Sequence, residues 1–465
     1  MIESVKAYPI YKDSGIGWLG AVPQEWRLVR MKSLFAERND RGFPDEPLLA
    51  CTQAMGVVRK DRYGARTIEA LQHLEGLKMV HVGDFVIGLQ SFEAGIEYAH
   101  DQGIISPAYT VLRPQDPFTA GYLKWLLKSP GFIDEIALYA TGIRQGQSVA
   151  YERLGRTVLP QPASAEQAGI ARVLDRVDRR VRQYLAARNR VIALLDEQRE
   201  AIVREAVTRG IDPDVRRKPS GVDRLGAVPA HWELTRVKHA TEIRRGKFAH
   251  RPRNDPSLYD GPYPFVQTGD VARAGRTITS FRQTLNDRGL AVSKLVPRGT
   301  LVMAIAANIG DVAVLDFDAC FPDSVVGFTP RPGVDRDFLY YVFVAMRAEL
   351  LLEAPVNTQG NLNVDRIGSR VVALPPLTEQ REIVRTIDKD VSSFEPVITA
   401  ARTEMGLVRE YRARLIEDAV TGKIDLRDVA ANLPEEDQEA ELRGRMDDLS
   451  QSDEPDADGD LDAVQ

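Results

Sequence analysis

The sequence contains one stretch twice. Shifted by 213 positions, residues 166–212 lie over residues 379–425 without a gap, with 14 identities in 47 positions. Glu166-Gln167 meets Glu379-Gln380, Asp175 meets Asp388, and Ala206-Val207-Thr208 meets Ala419-Val420-Thr421. A repeat that tolerates no gap must be one continuous element of fixed length in each copy. No feature of the composition constrains the fold as tightly.

The element reads as a helix. Apolar or long side chains recur four and three residues apart at Ile170, Leu174, Val177, Val181, Tyr184, Val191, Leu195 and Ile202. The second copy gives Ile383, Ile387, Phe394, Val397, Ala401, Val408, Tyr411 and Leu415. This is the spacing of a coiled-coil seam. Ser164 and Gln167 stand at capping-box spacing, and Gly210 and Gly422 stand where helices stop. Pro396 should bend or open the second copy. About 44 residues at 1.5 Å each make a rod of roughly 66 Å. Arg188, Gln198, Asp390 and Glu404 interrupt the seam. Antiparallel pairing would bring Arg188 near Glu404 and fix register, although solvated positions account for all four equally simply.

The duplication extends beyond the rod. Trp18-Leu19-Gly20-Ala21-Val22-Pro23-Gln24-Glu25-Trp26 recurs as Arg224-Leu225-Gly226-Ala227-Val228-Pro229-Ala230-His231-Trp232, 206 positions on. Gly83–Ile87 resembles Gly299–Met303, Tyr122-Leu123 resembles Phe338-Leu339, and Leu159-Pro160 resembles Leu374-Pro375. The chain is thus a globular domain followed by a rod, twice over, with globular parts that have drifted and rods that have kept their length. Asp84–Leu89, Tyr109–Leu112, Thr300–Ile305 and Asp311–Leu315 read as buried strands. Phe118–Lys128 and Phe338–Leu352 read as helices. The tryptophans Trp18, Trp26, Trp125 and Trp232 read as packing anchors.

Charge is unevenly spread. Residues 434–465 carry 13 acidic and 2 basic side chains, so removing that tail takes the net charge from −6 to +5. A mildly basic body with an acidic, aromatic-free end suits a nucleic-acid binder, though many other proteins share the pattern. There is no apolar run of 18 residues and no basic-then-apolar leader pattern, so neither a membrane span nor a signal peptide is expected. The only cysteines, Cys51 and Cys320, suit a reducing cytoplasm. There is no phosphate-binding Gly-Lys-Ser/Thr loop, no dinucleotide fingerprint, no metal-like histidine spacing and no nucleophile with its base. Asp316 and Asp318 could attract a cation, but a solvated pair is the simpler reading.

What remains are polar and basic loops at comparable places in both copies. The first copy offers Lys60, Arg62, Arg66, Gln90, Ser91, Arg144, Gln145 and Gln147. The second offers Arg244, Arg245, Lys247, Arg251, Arg253, Gln267, Asn308, Gln359, Asn361 and Asn363. Arg and Lys pair with guanine, Asn and Gln pair with adenine, and all of them grip phosphates. They are also ordinary loop residues.

These motifs together resemble the specificity subunit of type I restriction–modification systems. The resemblance runs from Tyr11 to Leu426. It is carried by Tyr11–Gly15 leading into Trp18-Leu19-Gly20, Pro23 and Trp26, by Leu225-Gly226, Pro229 and Trp232, by Leu374–Gln380, and by Leu415–Asp425. It implies an α+β fold: two α/β target-recognition domains separated by two long antiparallel coiled-coil helices related by a pseudo-two-fold internal repeat. The expected limits are 1–163 for the first recognition domain, 164–209 for the first spacer helix and 210–220 for a linker. The second domain then covers 221–376, the second helix 377–426, and an acidic, disordered tail 427–465. Each domain would read half of a bipartite, asymmetric DNA site. The helices would set the spacing and dock two modification subunits through Ile170, Leu174, Val181, Leu195, Ile202, Ile383, Ile387, Phe394, Val408 and Leu415. The resemblance implies no catalytic residue and no metal here; S-adenosylmethionine, ATP and Mg belong to partner modification and restriction subunits. A scaffold whose coiled coil binds protein partners is the alternative.

Overall fold

The computed structural model describes residues 6–63, 74–88, 91–141, 148–250, 252, 254–352 and 362–433. The chain divides into two compact units, 1–190 with 402–465, and 191–401. No helix among the described residues is long and apolar enough to cross a membrane.

In the first unit a short antiparallel hairpin pairs Tyr11–Asp13 with Ala21–Pro23. Lys12 Nζ reaches over it to the Trp26 carbonyl at 2.6 Å. The second unit repeats this, Arg217–Pro219 pairing with Ala227–Pro229 and Lys218 Nζ donating to the Trp232 carbonyl at 2.6 Å. The linker is therefore shorter than expected: Arg217–Pro219 already belongs to the second fold, because Lys218 is tied to its tryptophan.

The central sheet of the first unit contains β1 (Phe35–Arg38), β2 (Phe85–Ile87), β3 (Glu97–Tyr98) and β4 (Thr110–Pro114), all antiparallel, in the order β1-β4-β2-β3. The second unit has β5 (Thr241–Arg245), β6 (Thr277–Ile278), β7 (Leu301–Ala304), β8 (Val312–Leu315) and β9 (Val325–Pro330), in the order β5-β9-β7-β8-β6. Only β6 pairs in parallel. The first four strands of this second sheet reproduce the order of the first, so the duplicated sequence is a duplicated topology. These strands read as apolar runs because both faces are covered. Phe85 and Ile87 point into one cluster and Val86 into another, just as Leu301 and Met303 separate from Val302.

Helices close one face of each sheet. In the first unit these are α1 (Ala120–Leu126) and α2 (Pro130–Ala137), and then α3 (Ser164–Arg209), a single helix of 46 residues. In the second they are α4 (Arg336–Leu352) and α5 (Val364–Ser369), followed by α6 (Leu377–Ser392) and α7 (Phe394–Val420). Ile170, Val173 and Leu174 at the start of α3 share the first core with Leu415, Ile416, Ala419 and Val420 at the end of α7. Val203, Ala206 and Val207 at the end of α3 share the second core with Ile383, Val384 and Ile387 of α6. In the first unit the two helices run in opposite directions. Arg412 Nε donates to Asp178 at 2.6 Å and Arg188 pairs with Glu404 at 3.0 Å, so numbers rise on one helix as they fall on the other.

Four sequence expectations need correction. The opening expected at Pro396 falls at Ser393, which places Pro396 in the first turn of α7, where a missing N–H costs nothing. The break resets the buried stripe to Ile398, Ala401, Met405 and Leu415, leaving Val397 and Tyr411 exposed; Val191 of α3 is exposed as well. The capping box is not made: Gln167 is buried and its Nε2 donates to the Pro162 carbonyl at 2.8 Å, as Gln380 Nε2 does to Pro375. Leu159-Pro160 does not correspond to Leu374-Pro375. Val158–Gln161 pairs with Arg27–Arg30 as Val371–Leu374 pairs with Glu233–Arg236, which aligns Gln161 with Leu374. Finally, Arg427–Ala431 is not tail but a helix, with Leu426 and Ala430 buried in the first core. Residues 434–465 lie outside the described residues.

Candidate nucleic-acid interface

In both units, described residues that flank the expected contact segments pack together. In the first unit, the stretch after β2 continues into a short helix, Ser91–Ala94, which packs against the strand Ser148–Val149. That strand pairs with Ala140–Thr141. In the second unit, the turn after β7 holds Asn308, whose carbonyl accepts from Asp311 N at 3.3 Å, and Ala307 adopts a left-handed φ of 56°. Leu362 N donates to the Ile305 carbonyl at 2.8 Å, so Leu362 lies against this turn. Asn363 caps α5, its Oδ1 accepting from Asp365 N at 2.8 Å. Arg66, Gln90, Arg144, Gln145, Gln147, Arg251, Arg253, Gln359 and Asn361 lie outside the described residues, as does the side chain of Ser91.

A basic run projects from the end of β5, and one glycine aims it. A Cβ on Gly246 would lie 2.0 Å from the Pro322 carbonyl and 2.5 Å from the Phe321 ring. Only glycine allows the strand to press this close, and Lys247 N then donates to the Phe321 carbonyl at 3.1 Å. Arg245 Nε donates to the Asp323 carbonyl at 3.0 Å, while Lys247 stays exposed. Arg244 pairs with Glu242 at 2.8 Å. Its hydrogen bond holds the Glu242 carboxyl below the usual range, helped by the charges of Arg331 and Lys294, so three cations surround one carboxylate. Gln267 is bonded through its amide to Gln283, and its backbone N donates to Asp270 at 2.9 Å at the start of the helix Thr268–Arg273.

In the first unit Lys60 opens the short helix Lys60–Tyr63. Arg62 pairs with Asp101 at 3.0 Å, and Asp101 also accepts from Arg59 N at 3.0 Å. The rod residues separate by depth. Ile170, Leu174, Val181, Ile383, Ile387 and Leu415 are buried, whereas Leu195, Ile202, Phe394 and Val408 are partly exposed. Asp316 and Asp318 hold Arg298, through a 2.6 Å ion pair and a 2.7 Å bond to its backbone N. Among the described residues no cluster of carboxylate, histidine and cysteine side chains could hold a metal.

Sequence reasoning missed the joints that carry these loops. Glu166 Oε1 accepts from Tyr8 OH at 2.6 Å and from Trp26 Nε1 at 3.2 Å; burial and the Glu166 carboxylate push the Tyr8 hydroxyl pKa up. Glu379 accepts from Trp232 Nε1 at 2.9 Å and pairs with His231 at 2.7 Å. One turn-pair farther along, Asp175 accepts from Trp125 Nε1 at 2.8 Å and Lys124 at 2.7 Å, while Asp388 holds Tyr341 and Arg276. Each domain is thus bonded to its helix at the two acidic positions that match between copies. Acids retained among drifting neighbours were the signal that could have found them.

Residues 229–395 match the model of the type I restriction modification DNA specificity domain. The chain is similar to the type I restriction–modification specificity subunits. The MjaVIII type I restriction enzyme specificity subunit of Methanocaldococcus jannaschii is 20% identical over 382 residues, 76% of this chain and 81% of that one. The EcoBI specificity subunit of Escherichia coli is 20% identical over 305 residues, 63% and 64% of the two chains. A solved chain from work on complex assembly and conformational transition of the type I R-M system superposes with a TM-score of 0.60 at 18% identity. It covers 86% of this chain and 98% of its own length, a likeness of fold.

Proposed function

We propose that this chain is a type I restriction–modification specificity subunit that reads a bipartite, asymmetric DNA site, one half with each unit. It holds the half-sites at a fixed distance with an antiparallel coiled coil on which two modification subunits dock. The observation carrying this reading is the repeated strand order with unlike loops at one end. A shared frame presents two chemically different sets of side chains, whereas a true two-fold dimer would read identical half-sites. Arg and Lys at the loop ends supply phosphate contacts, and Asn and Gln supply base contacts. This chain performs no chemistry in the proposal. S-adenosylmethionine, ATP and Mg act in the partner modification and restriction subunits of a cytoplasmic complex.

The helix pair supplies the test. Asp178–Arg412 and Arg188–Glu404 tie the register, so an insertion in one helix must be matched in the other. Two helical turns added after Arg190 and the same number before Arg402 should widen the gap between half-sites and leave both half-site sequences unchanged. Sequencing of modified adenines in cells carrying the variant reads both at once. An altered half-site with the original gap refutes the spacer role. The absence of any separated two-part motif in the parent cells favours a protein-binding scaffold instead.

A further inference from the structure

We propose that the acidic segment 434–441 docks on an arginine face of α3 in the first unit and covers that face against other polyanions.

Between residues 172 and 190, α3 carries seven arginines against Asp175 and Asp178, a net charge of +5. At 3.6 residues per turn, Arg172, Arg176, Arg179 and Arg180 fall within about 100° of arc together with Gly169, and both aspartates lie outside it. Asp175 is held by Trp125 and Lys124, and Asp178 by Arg412 and Arg182. Arg172 and Arg180 are exposed. Arg176 and Arg179 are half-exposed and not free of partners, but a guanidinium has donors enough for several acceptors. Like charges four residues apart repel along a helix, so Arg172, Arg176 and Arg180 work against α3 unless anions lie beside them.

The chain delivers such anions to this face. At the start of the helix Arg427–Ala431, the Arg427 guanidinium lies over the Tyr8 ring at 5.0 Å, and Tyr8 OH donates to Glu166 at 2.6 Å. At its end, a Cβ on Gly169 would lie 3.1 Å from Ala430 Cβ. Numbers rise from 427 to 430 on the short helix as they rise from 166 to 169 on α3, so the short helix runs along α3 toward Arg172. Val429 and Leu433 pack against the first core and anchor the chain up to the point where the acids begin. The next residues are Pro434-Glu435-Glu436-Asp437-Gln438-Glu439-Ala440-Glu441, five carboxylates in eight positions. Arg180 lies roughly 17 Å beyond Gly169 along the helix axis, and eight extended residues span about 26 Å. A tether this short gives an effective concentration on the order of millimolar, at which several weak pairs of exposed charges suffice.

The second copy supplies the comparison. At offset 213, residues 385–403 carry three basic and three acidic side chains. Arg172 and Arg176 keep a cation there, as Arg385 and Lys389, but Arg179, Arg180 and Arg182 become Ser392, Ser393 and Glu395. The short helix has no second copy either: the same offset takes Arg427–Ala431 to 214–218, which enters the hairpin strand Arg217–Pro219. The excess arginines and the acidic continuation therefore occur together in one copy and are missing together from the other, while Ile170 and Leu174 are matched by Ile383 and Ile387 in both cores. The arginine excess goes with the acids and not with the frame.

The test is the affinity of the full chain for heparin, a polyanion without base sequence, so its outcome does not depend on DNA recognition. Neutralising the near acids with Glu435→Gln, Glu436→Gln, Asp437→Asn, Glu439→Gln and Glu441→Gln should tighten heparin binding by roughly tenfold. Neutralising five far acids with Asp453→Asn, Glu454→Gln, Asp456→Asn, Asp458→Asn and Asp460→Asn removes the same charge and should change the affinity much less. Adding Arg172→Gln, Arg176→Gln, Arg179→Gln and Arg180→Gln should abolish the gain from the near set. Equal gains from the near and far sets, no gain from either, or a near gain that survives loss of the four arginines overturns the docking. The near and far sets leave the packed chain unaltered, so their comparison decides the matter even where the arginine variant fails to fold.

Discussion

Two glycines that end the two helix copies, one position apart in the repeat register, allow a prediction in which the molecule serves as its own control. Gly210 and Gly422 end α3 and α7 with left-handed φ values of 76° and 80°. Alanine at either site meets the same backbone penalty, about 1–2 kcal/mol. Their surroundings differ. A Cβ at Gly210 would lie 3.3 Å from the Trp232 ring, a tight contact that a small shift relieves. A Cβ at Gly422 would lie 2.3 Å from Pro23 Cδ and 3.1 Å from the Trp26 ring, inside the hairpin-to-helix joint of the first unit. Overpacking there adds about 1–3 kcal/mol. Gly422→Ala should therefore cost about 2–5 kcal/mol against about 1–2 for Gly210→Ala. A chain of two units need not unfold in one step, so the assay must be local. Hydrogen exchange of peptides around Trp26 and around Trp232 reports each joint separately. Gly422→Ala should lower protection around Trp26 and spare Trp232, and Gly210→Ala should do the reverse more weakly. Equal costs at the two sites, or loss of protection in the wrong unit, would refute the reasoning.

Two more expectations concern buried charge. Asp178 is buried and accepts from Arg412 at 2.6 Å and Arg182 at 3.0 Å, whereas Arg188–Glu404 is exposed on both sides. Asp178→Ala should destabilise the first unit by about 1–3 kcal/mol in urea titrations, and Arg188→Ala should leave the midpoint where it was; comparable shifts would contradict this ranking. Glu97 is buried and paired with Lys128; burial raises its pKa from near 4.5 to about 7, against the pull of Lys128. The native carboxyl then holds a proton that the unfolded chain releases from about pH 4.5 upward, so this group's contribution falls as pH rises and is lost above 7. The rise corresponds to about 3 kcal/mol. Glu97→Gln does not titrate, so its stability relative to the parent should improve by that order between pH 5 and 8, and a flat difference would sink the idea.

The sequence was most informative where geometry is repetitive. The strands at Phe85–Ile87 and Leu301–Ala304 and the helix Ser164–Arg209 follow from apolar runs and periodicity, since burial on two faces or on one stripe writes itself into residue order. The shift of the buried stripe to Ile398 and Met405 was not legible. It depends on a one-residue break at Ser393 that periodicity averages over. Gln167 looked like a capping residue because spacing cannot distinguish a side chain reaching its own helix from one reaching back to Pro162. The joints Trp26–Glu166 and Trp232–Glu379 span 140 and 147 positions, far beyond any local pattern. The basic run at Arg244–Lys247 was visible as composition, but its direction comes from Gly246 pressed on Pro322, a contact that exists only after folding.

One bridge in the first unit bears on how such a chain could be assembled from pieces. Lys6 pairs with Asp425 across an isolated antiparallel bridge. By the two repeat offsets, 206 and 213, both residues correspond to Asp212, a single point in the middle of the chain. The first unit thus closes non-covalently at the place where the second is joined by a peptide bond. Residues up to Asp212 contribute Val203, Ala206 and Val207 to the second core, and residues beyond it return Leu415, Ile416, Ala419 and Val420 to the first. The protein is in effect a domain-swapped pair of half-length polypeptides fused head to tail. Asp212 lies in the covalent link between the halves, and each half carries helix residues that the core of the other unit uses.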